Sequence, residues 1–345
     1  MATVIKAGVT DAAGVRVRPL AAEDLDEADR ICRVAFGTFV GVPRPERFFG
    51  DADLVRTRWQ ADPGAALAAE LDGRLAGSNF AANWGSVGFF GPLTVAPEYW
   101  DRAIGQRLLD ATMELFEAWG TRHAGLFTFA QSAKHVGLYQ KYGFWPRFLT
   151  AVMSSPVRPD SGPAPVRLSA LDEAGRAGAM AAVRELAEAV YPGLDVSLEI
   201  ESVLAQALGD TVLIDDASGL QGVAICHAGA GTEAGSGTCY IKFGAVRPGP
   251  GAERLFGLLI DACHALAAVQ GASALVAGAN AGRDRAWRAL ARRGFRRSFQ
   301  AWPCTAPTSR ATAPATPSSS TTGGRHGPGE LRQELLAGLS GRVTV

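Results

Sequence analysis

The chain has 345 residues, of which 47% are hydrophobic and 20% charged, a balance typical of globular domains and unlike that of disordered or fibrous chains. This length accommodates two domains, each with its own core. Lys and Arg together number 34, as do Asp and Glu, so the overall charge provides no attraction to nucleic acid or to an anionic membrane.

The sequence predicts a soluble cytoplasmic protein. Five cysteines are scattered along the chain without a CxxC pair, and a disulfide framework is not expected at this length. Residues 1–14 lack the long apolar stretch of a signal peptide. Nowhere do about 18 uncharged apolar residues follow one another, so no membrane span is predicted.

The first part of the chain alternates strand and helix patterns. "VRVRPL" predicts a strand, and "AAEDLDEADRICRVAF" has apolar residues at helical spacing. Residues 37–63 are irregular and contain the aromatic pair Phe48 and Phe49. Two strand-like runs joined by Asp72-Gly73 predict a hairpin. "SVGFFGPLTVAP" then predicts a strand that Gly91-Pro92 interrupts at an edge or a bulge.

A helix is expected directly after residue 103. Ile104, Leu108, Thr112 and Leu115 recur on one face of it, and Gly120 ends it. "HAGLFTFA" follows as a strand, "SAKHVGLYQKYG" as a helix and "FWPRFLTAVMSS" as a final strand region. This order is characteristic of an α/β fold.

The same order of elements begins again after a Pro- and Ser-rich stretch, which indicates an internal duplication. An offset of 151 residues aligns the two copies without a gap and relates Pro97 to Pro248, Leu108 to Leu259, Asp110 to Asp261, Gly143 to Gly294 and Phe144 to Phe295. We therefore expect domains at 15–153 and 166–303, joined by a linker at 154–165. The low-complexity residues 304–345 are not expected to fold.

The stretch "PEYWDRAIGQRLLDA" at 97–111 places a short turn against the start of a helix. The first amides of a helix have no partner within it, and the helix dipole adds positive charge there. Such a turn is suited to bind a phosphate or pyrophosphate. Many α/β proteins carry this turn with nothing bound, so the pattern alone leaves both interpretations open.

Two motifs point to a known family. "LTVAPEYWDRAIGQRLLDA" closely resembles the motif of the GCN5-related N-acetyltransferases (GNAT), in which Pro-Glu-Tyr and then Gln/Arg-x-x-Gly-x-Gly/Ala follow a strand. Trp100 stands at the Gln/Arg position, Ala103 at the first Gly and Gly105 at the last. "GLYQKYGF" resembles the family's Leu-Tyr-x-Lys-x-Gly-Phe. The resemblance covers residues 15–150, and by topology 166–303, and implies two tandem domains, each with a mixed, mostly antiparallel sheet flanked by helices.

The resemblance implies acetyl-CoA-dependent transfer of an acetyl group to the primary amine of a small molecule or peptide, by direct attack on the thioester. It implies no metal. The interruption at Gly91-Pro92 would separate the next strand from its neighbour, so that acetyl-CoA could pair with the open backbone. The residues implied to bind acetyl-CoA are Leu93, Thr94, Val95, Trp100, Asp101, Arg102, Ala103, Ile104, Gly105, Gln106 and Gln131.

Tyr139 matches the family's tyrosine and is the candidate general acid for the leaving thiolate. Without that motif it would be interpreted as a core residue of its helix, and Tyr142 is its neighbouring rival. Glu98, His135 and bound water all remain open as the general base. Residues 37–63 are the expected substrate-facing segment.

The second copy lacks these features. At the offset of 151, Gly251 aligns with Trp100, Arg254 with Ala103, Phe256 with Gly105 and Leu290 with Tyr139. Its strand "CYIKFGAV" has no proline to splay it. We therefore expect a degenerate copy that serves packing, substrate-pocket walls or dimerisation.

Two alternatives stay open. The chain could bind acyl-CoA without turnover, as a sensor or scaffold. It could also resemble the mycothiol synthases, tandem acetyltransferases in which the second half carries the chemistry. No nucleic-acid or membrane partner is expected, and a homodimer is left open.

Overall fold

The computed structural model describes residues 14–129, 131–158, 164–307 and 342–343. The predictions for residues 1–13, and those for most of the tail after residue 307, lie outside this part of the chain. The first half consists of β1 (Val15–Pro19), α1 (Leu25–Val40), α2 (Val55–Ala61), β2 (Ala66–Leu71), β3 (Arg74–Trp84), β4 (Val87–Phe90), β5 (Thr94–Val95), α3 (Ile104–Ala118), β6 (His123–Phe129), α4 (Ala133–Lys141), β7 (Trp145–Pro146) and β8 (Thr150–Pro156).

The second half repeats this order. It consists of β9 (Val166–Arg167), α5 (Glu173–Val190), α6 (Ser197–Ala205), β10 (Gly209–Asp216), β11 (Gly219–Gly229), β12 (Gly235–Val246), α7 (Ala252–Val269), β13 (Ala274–Asn280), α8 (Asp284–Arg292) and β14 (Arg296–Pro307). A two-residue strand, β15 (Arg342–Val343), follows. The bounds of β13 and α8 are those of β6 and α4 moved by 151 residues, which supports the internal duplication.

The local predictions of the first half are confirmed. β2 and β3 form an antiparallel hairpin, and Asp72 and Gly73 both have positive φ, as a tight hairpin turn requires. α3 begins at Ile104, and Gly120, with φ of 66°, lies just past its end. The sheets are mixed and mostly antiparallel, flanked by helices, which is the fold class that the sequence predicts.

The two halves exchange their last strands. β14, from the second half, pairs antiparallel with β6 of the first half, while β8, from the first half, pairs with β13 of the second. β14 and β8 also pair with each other and complete a continuous path from β1 to β9. Each half therefore depends on the other for a strand next to its centre.

Two predicted boundaries shift because of this exchange. Residues 154–156 pair with β13 and so belong to β8, although the sequence suggests that the linker starts there. Residues 304–307 pair with β6 as part of β14, although they were expected to begin the tail. A stretch that contains proline can form a strand where a neighbouring strand pairs with it.

The apolar core also crosses between the halves. Trp84, Val87 and Phe89 of the first half pack into the same buried cluster as Phe243 and the residues of α5 and β11. The rings of Trp84 and Phe243 meet edge to face with centroids 5.7 Å apart. In the described part of the chain, no helix combines the length and apolarity that a membrane crossing needs.

Candidate functional site

A cavity of about 610 Å³, which we call the main cavity, is lined by residues of β5, of β6 and of the start of α3. β4 pairs with β6 only through residues 87–89, and β5 pairs with β3, through Gly77 and Ser78. Gly91-Pro92 lies between β4 and β5, so the predicted interruption does separate the strand from its neighbour. The opening is the consequence of that separation.

Most of the residues that the sequence assigns to this site line the main cavity. They are residues 93–95, 100, 101 and 103–106, together with Tyr139. Phe36 and Phe39 of α1 also line the main cavity, although no sequence motif indicated them. Their spacing is that of an amphipathic helix, so they could not be distinguished from core residues beforehand.

The turn before α3 has an unusual backbone. Asp101 and Ala103 have φ of 64° and 60°, in the left-handed region that costs a residue with a side chain about 1–2 kcal/mol. Ala103 is the N-cap of α3 and makes no side-chain cap, so its small methyl leaves the first helix amides uncovered. This conformation explains why glycine would suit the position that Ala103 occupies. Such strain is most often found at functional sites.

Trp100 and Lys134 complete the mouth of the cavity. Trp100 donates its ring N–H to the carbonyl oxygen of Val95 at 2.7 Å, so its side chain folds back onto β5. Lys134 Nζ lies 2.6 Å from an Asp101 carboxylate oxygen and 5.8 Å from the centre of the Trp100 ring. Lys134 and Asp101 thus form an ion pair at the mouth of the cavity, a contribution that no sequence motif indicated.

Tyr139 is buried at 7% exposure and belongs to the lining of the main cavity. Its ring meets that of Phe90 edge to face, with centroids 5.9 Å apart. Both alternatives for this residue thus describe part of what is seen, since the ring packs in a core while the residue borders the cavity.

Tyr142 is engaged elsewhere. Its hydroxyl lies 2.7 Å from a carboxylate oxygen of Asp110 and 2.9 Å from the carbonyl oxygen of Gln106. Burial and the hydrogen bond to Asp110 raise the pKa of Tyr142 well above its usual value. The residue is not part of the cavity lining, so the geometry favours Tyr139 over its rival.

Of the two candidate basic side chains, only His135 lines the cavity. It is half-buried, not solvent-facing, and its ring lies 4.8 Å from that of Phe39. Burial, and then the charge of Lys134, lower the pKa of His135 below 6.5, so the imidazole is neutral at pH 7. Glu98 is exposed and lies outside the lining.

Three expectations do not match this arrangement. Arg102 lies over the ring of Tyr99, and Gln131 is exposed on a turn, so neither lines the main cavity. Phe48 and Phe49, expected to face the substrate, are 2% and 3% exposed. They pack against Phe36 in a buried aromatic cluster, because burying several rings together is worth more than presenting two of them to solvent.

The second half also differs from expectation. β12 bulges at Lys242, which aligns with Gly91 at the offset of 151, and the strand β15 lies between β12 and β13 beyond that point. The strand therefore does diverge from its neighbour, although it lacks a proline; a bulge alone suffices. The equivalents of Gly105 and Tyr139 are Phe256 and Leu290, both fully buried.

A buried group of charges joins the halves next to the main cavity. Arg58 donates two hydrogen bonds to Glu233, at 2.8 and 3.0 Å, and a third to the carbonyl oxygen of Gly91. Lys242 Nζ lies 2.9 Å from Glu233 and 2.7 Å from Glu199. No sequence motif indicated this group.

Metal binding finds no support among the described residues, where no cluster of three or more His, Cys, Asp or Glu side chains could hold an ion. The four cysteines whose side chains are described are buried and free. The lining of the main cavity includes a phenol, Tyr139, and an imidazole, His135.

A cleft between diverging strands, with bare helix amides at one end, suits a ligand that carries a phosphate group. Residues 31–144 match the model of the acetyltransferase (GNAT) family. The matched segment contains all the residues that line the main cavity.

Solved structures share the fold over both halves. A Pyrococcus horikoshii chain provisionally assigned as an acetyltransferase is 14% identical, with a TM-score of 0.61 over 86% of this chain and 90% of that one. A GCN5-related N-acetyltransferase from Sphaerobacter thermophilus is 16% identical, with a TM-score of 0.54 over 86% and 96%. A search of the curated proteins finds no significant match.

Proposed function

We propose that this protein is an acetyl-CoA-dependent N-acetyltransferase whose active copy is the first half of the chain. The observation that carries the proposal is the main cavity, where the opened strand, the bare start of α3 and Tyr139 meet. The acceptor is a primary amine. The second half supplies a strand and a wall, and its own site is degenerate.

The residues present fit acetyl-CoA. The amides at 103–105 suit the pyrophosphate, because the N-terminus of a helix stabilises phosphate. One edge of β5 is taken by β3, and its other edge borders the cavity, so residues 93–95 can pair with the amides of the pantetheine arm. Bound there, acetyl-CoA supplies an acetyl group activated as a thioester.

A backbone N–H of residues 93–95 would stabilise the charge that develops on the carbonyl oxygen. The neutral amine forms the new C–N bond, and the C–S bond breaks with its electron pair on sulfur. Tyr139 gives its phenolic proton to that sulfur and recovers one from solvent. The amine loses one proton, for which neutral His135 is the candidate acceptor inside the cavity.

The experiment that tests this proposal is calorimetric titration with acetyl-CoA. The Gly105→Trp variant should abolish binding, because the indole would fill the space beside the first amides of α3. Gly105→Ala should retain it, since a Cβ there would meet Leu93 and Leu138 only at 3.6 and 3.7 Å.

Gly178→Trp is the matched control, because Gly178 is exposed on α5 and a Cβ there would meet nothing within 4 Å. One site per chain is expected for the wild type and for this control. Two sites would contradict the degenerate second copy and favour a mycothiol-synthase-like arrangement. No binding at all would refute the acetyltransferase proposal.

A measurement of turnover distinguishes the acyl-CoA-binding alternative from the enzyme. A binding module would take up acetyl-CoA without releasing thiol in the presence of any amine. The enzyme should release one free thiol for each amide formed.

A further inference from the structure

A second cavity, of about 80 Å³, lies between the two halves; we call it the inter-half pocket. Phe90, Gly91 and Phe127 line both this pocket and the main cavity. The inter-half pocket therefore meets the main cavity at the end of β4, just before the segment 93–95 that would face the thioester of a bound donor. It approaches that point from the side of α2 and α6.

The pocket has charged walls from both halves. Arg58 and Asp62 come from the first half, and Glu199 and Lys242 from the second. Lys242 is held by Glu199 and Glu233, and Arg58 is held by Glu233, so both cations are already neutralised. Asp62 accepts the backbone N–H of Gly64 at 3.0 Å and forms no ion pair with any described residue.

The charge around the pocket is consequently negative. Counting Glu233 behind the wall, two cations face three carboxylates. His227, which lies 3.9 Å from Glu199, adds no charge at pH 7, because burial and then Lys242 lower its pKa below 6.5. A ligand with a single positive charge would bring this group to neutrality, whereas a carboxylate would add to its excess.

Aromatic rings form much of the remaining wall. Trp84, Phe89, Phe90 and Phe127 all line the pocket. Ring faces attract a cation, and the attraction is stronger when the cation is desolvated. Carboxylates together with aromatic rings are the chemistry that recognises an ammonium group.

We propose that the inter-half pocket captures the ammonium end of the acceptor, and that the acceptor is a small primary amine with a single positive charge. The ammonium gives one proton to solvent before the neutral amine attacks the thioester. The inference rests on the acetyl transfer proposed above, since it assigns the acceptor to that reaction. The volume limits the substrate: the pocket is smaller than the roughly 150 Å³ cavity that encloses benzene. A short alkyl amine fits this size, and Glu199 and Lys242 of the second half form the charged wall that selects it.

The test compares two amines of equal length, 1-butylamine and 4-aminobutanoate, of which only the second carries a carboxylate. Initial rates of thiol release from acetyl-CoA are measured with each. We expect kcat/KM to be at least tenfold higher for 1-butylamine. Equal rates, or a preference for 4-aminobutanoate, would overturn the inference, as would a protein that binds acetyl-CoA but acetylates neither amine.

Leu198 allows a charge to be added to the pocket without disturbing the core, because it lines the pocket and is 53% exposed. Leu198→Lys should raise KM for 1-butylamine about tenfold through like-charge repulsion. Leu198→Gln changes the shape but not the charge, and it should raise KM much less. Equal effects of the two variants would contradict the assignment.

The carboxylates are tested by Glu199→Gln and Asp62→Asn, each of which should raise KM for 1-butylamine. Glu201→Gln is the matched control, on the same helix but exposed. Asp62 makes no ion pair with any described residue, so its variant keeps the test valid if Glu199→Gln does not fold. Unchanged KM in the Asp62 variant, and in a folded Glu199 variant, would refute the role of these carboxylates.

Failure of the acetyltransferase proposal can be told apart from failure of this inference. Titration with acetyl-CoA addresses only the main cavity. Titration of the protein alone with 1-butylammonium chloride addresses only the inter-half pocket, and binding there should weaken in Leu198→Lys and not in Glu201→Gln. Absence of any butylammonium binding would refute the pocket assignment even for a protein that binds acetyl-CoA.

Discussion

Arg58 in the first half and Glu233 in the second face each other in a two-pronged ion pair, with N–O distances of 2.8 and 3.0 Å. Glu233 is fully buried, and the same guanidinium also donates to the carbonyl oxygen of Gly91. The interruption that opens the main cavity is thereby tied to a carboxylate of the other half. The second half thus fixes the position of the segment beside the main cavity.

Replacing Arg58 should destabilise the whole protein. Arg58→Met leaves the buried carboxylate of Glu233 with only Lys242, and we expect the free energy of unfolding to fall by about 3–5 kcal/mol in urea titrations. Arg56→Met, on the same helix, removes half-exposed pairs with Asp53 and Asp26 and should cost ~1 kcal/mol or less. Similar decreases in the free energy of unfolding of the two variants would show that the Arg58–Glu233 pair stabilises the protein no more than an exposed ion pair does.

The same group of charges predicts sensitivity to acid. Burial opposes the ionisation of Glu199, but Lys242 and His227 together outweigh it and lower the pKa of Glu199 to about 2. Burial also opposes the ionisation of Glu233, but Arg58 and Lys242 hold its pKa well below the usual value. The unfolded chain therefore takes up protons first as pH falls below about 4.5.

Stability from these carboxylates is complete above that pH and should be lost progressively toward pH 2. Urea titrations across this window should show a smaller loss for Glu199→Gln than for the wild type. The exposed Glu201→Gln should follow the wild type. A Glu199→Gln variant that loses as much stability as the wild type would contradict this account.

Tyr139→Phe should slow acetyl transfer by roughly 10²–10⁴-fold, the usual range for removing a positioned general acid. The affinity for acetyl-CoA should be nearly unchanged, since the ring and its packing against Phe90 remain. Steady-state rates and calorimetric titration measure the two quantities.

Tyr142→Phe is the control for this variant, because its hydroxyl contacts Asp110 and Gln106 outside the cavity. It should keep the wild-type rate. If both tyrosine variants keep full activity, Tyr139 is only a core residue and the general acid lies elsewhere.

His135→Gln tests the base through pH dependence. Because the pKa of His135 is lowered below 6.5, the imidazole is neutral at pH 7 and gains a proton only in more acidic solution. The wild-type kcat/KM should fall as that proton is gained, and the variant should be slower but lack this step. Dividing the wild-type profile by that of the variant cancels the ionisation of the amine, and a ratio that stays flat from pH 5 to pH 8 would exclude His135.

Local patterns were sufficient for much of the site. The Asp72-Gly73 turn, the start of α3 and the interruption at Gly91-Pro92 depend on neighbours in sequence, and they lie where the sequence predicts. The offset of 151 residues could also be found in the sequence, because a duplication repeats local patterns at a constant distance. The aromatic pair Phe48 and Phe49 shows the limit, since hydrophobicity does not reveal whether a ring faces a cavity or a core.

Contacts between distant residues were decided by the tertiary structure. The sequence by itself determined two copies of one α/β fold, the phosphate-type turn in the first copy and the candidate Tyr139. Only the folded chain exchanges β14 and β8 between the halves and brings Lys242 and Glu233 against Arg58. The physical reason is that strand register and buried ion pairs depend on which distant segments pack together. The free energy of that packing is distributed over the whole sheet, so no single stretch of residues determines it.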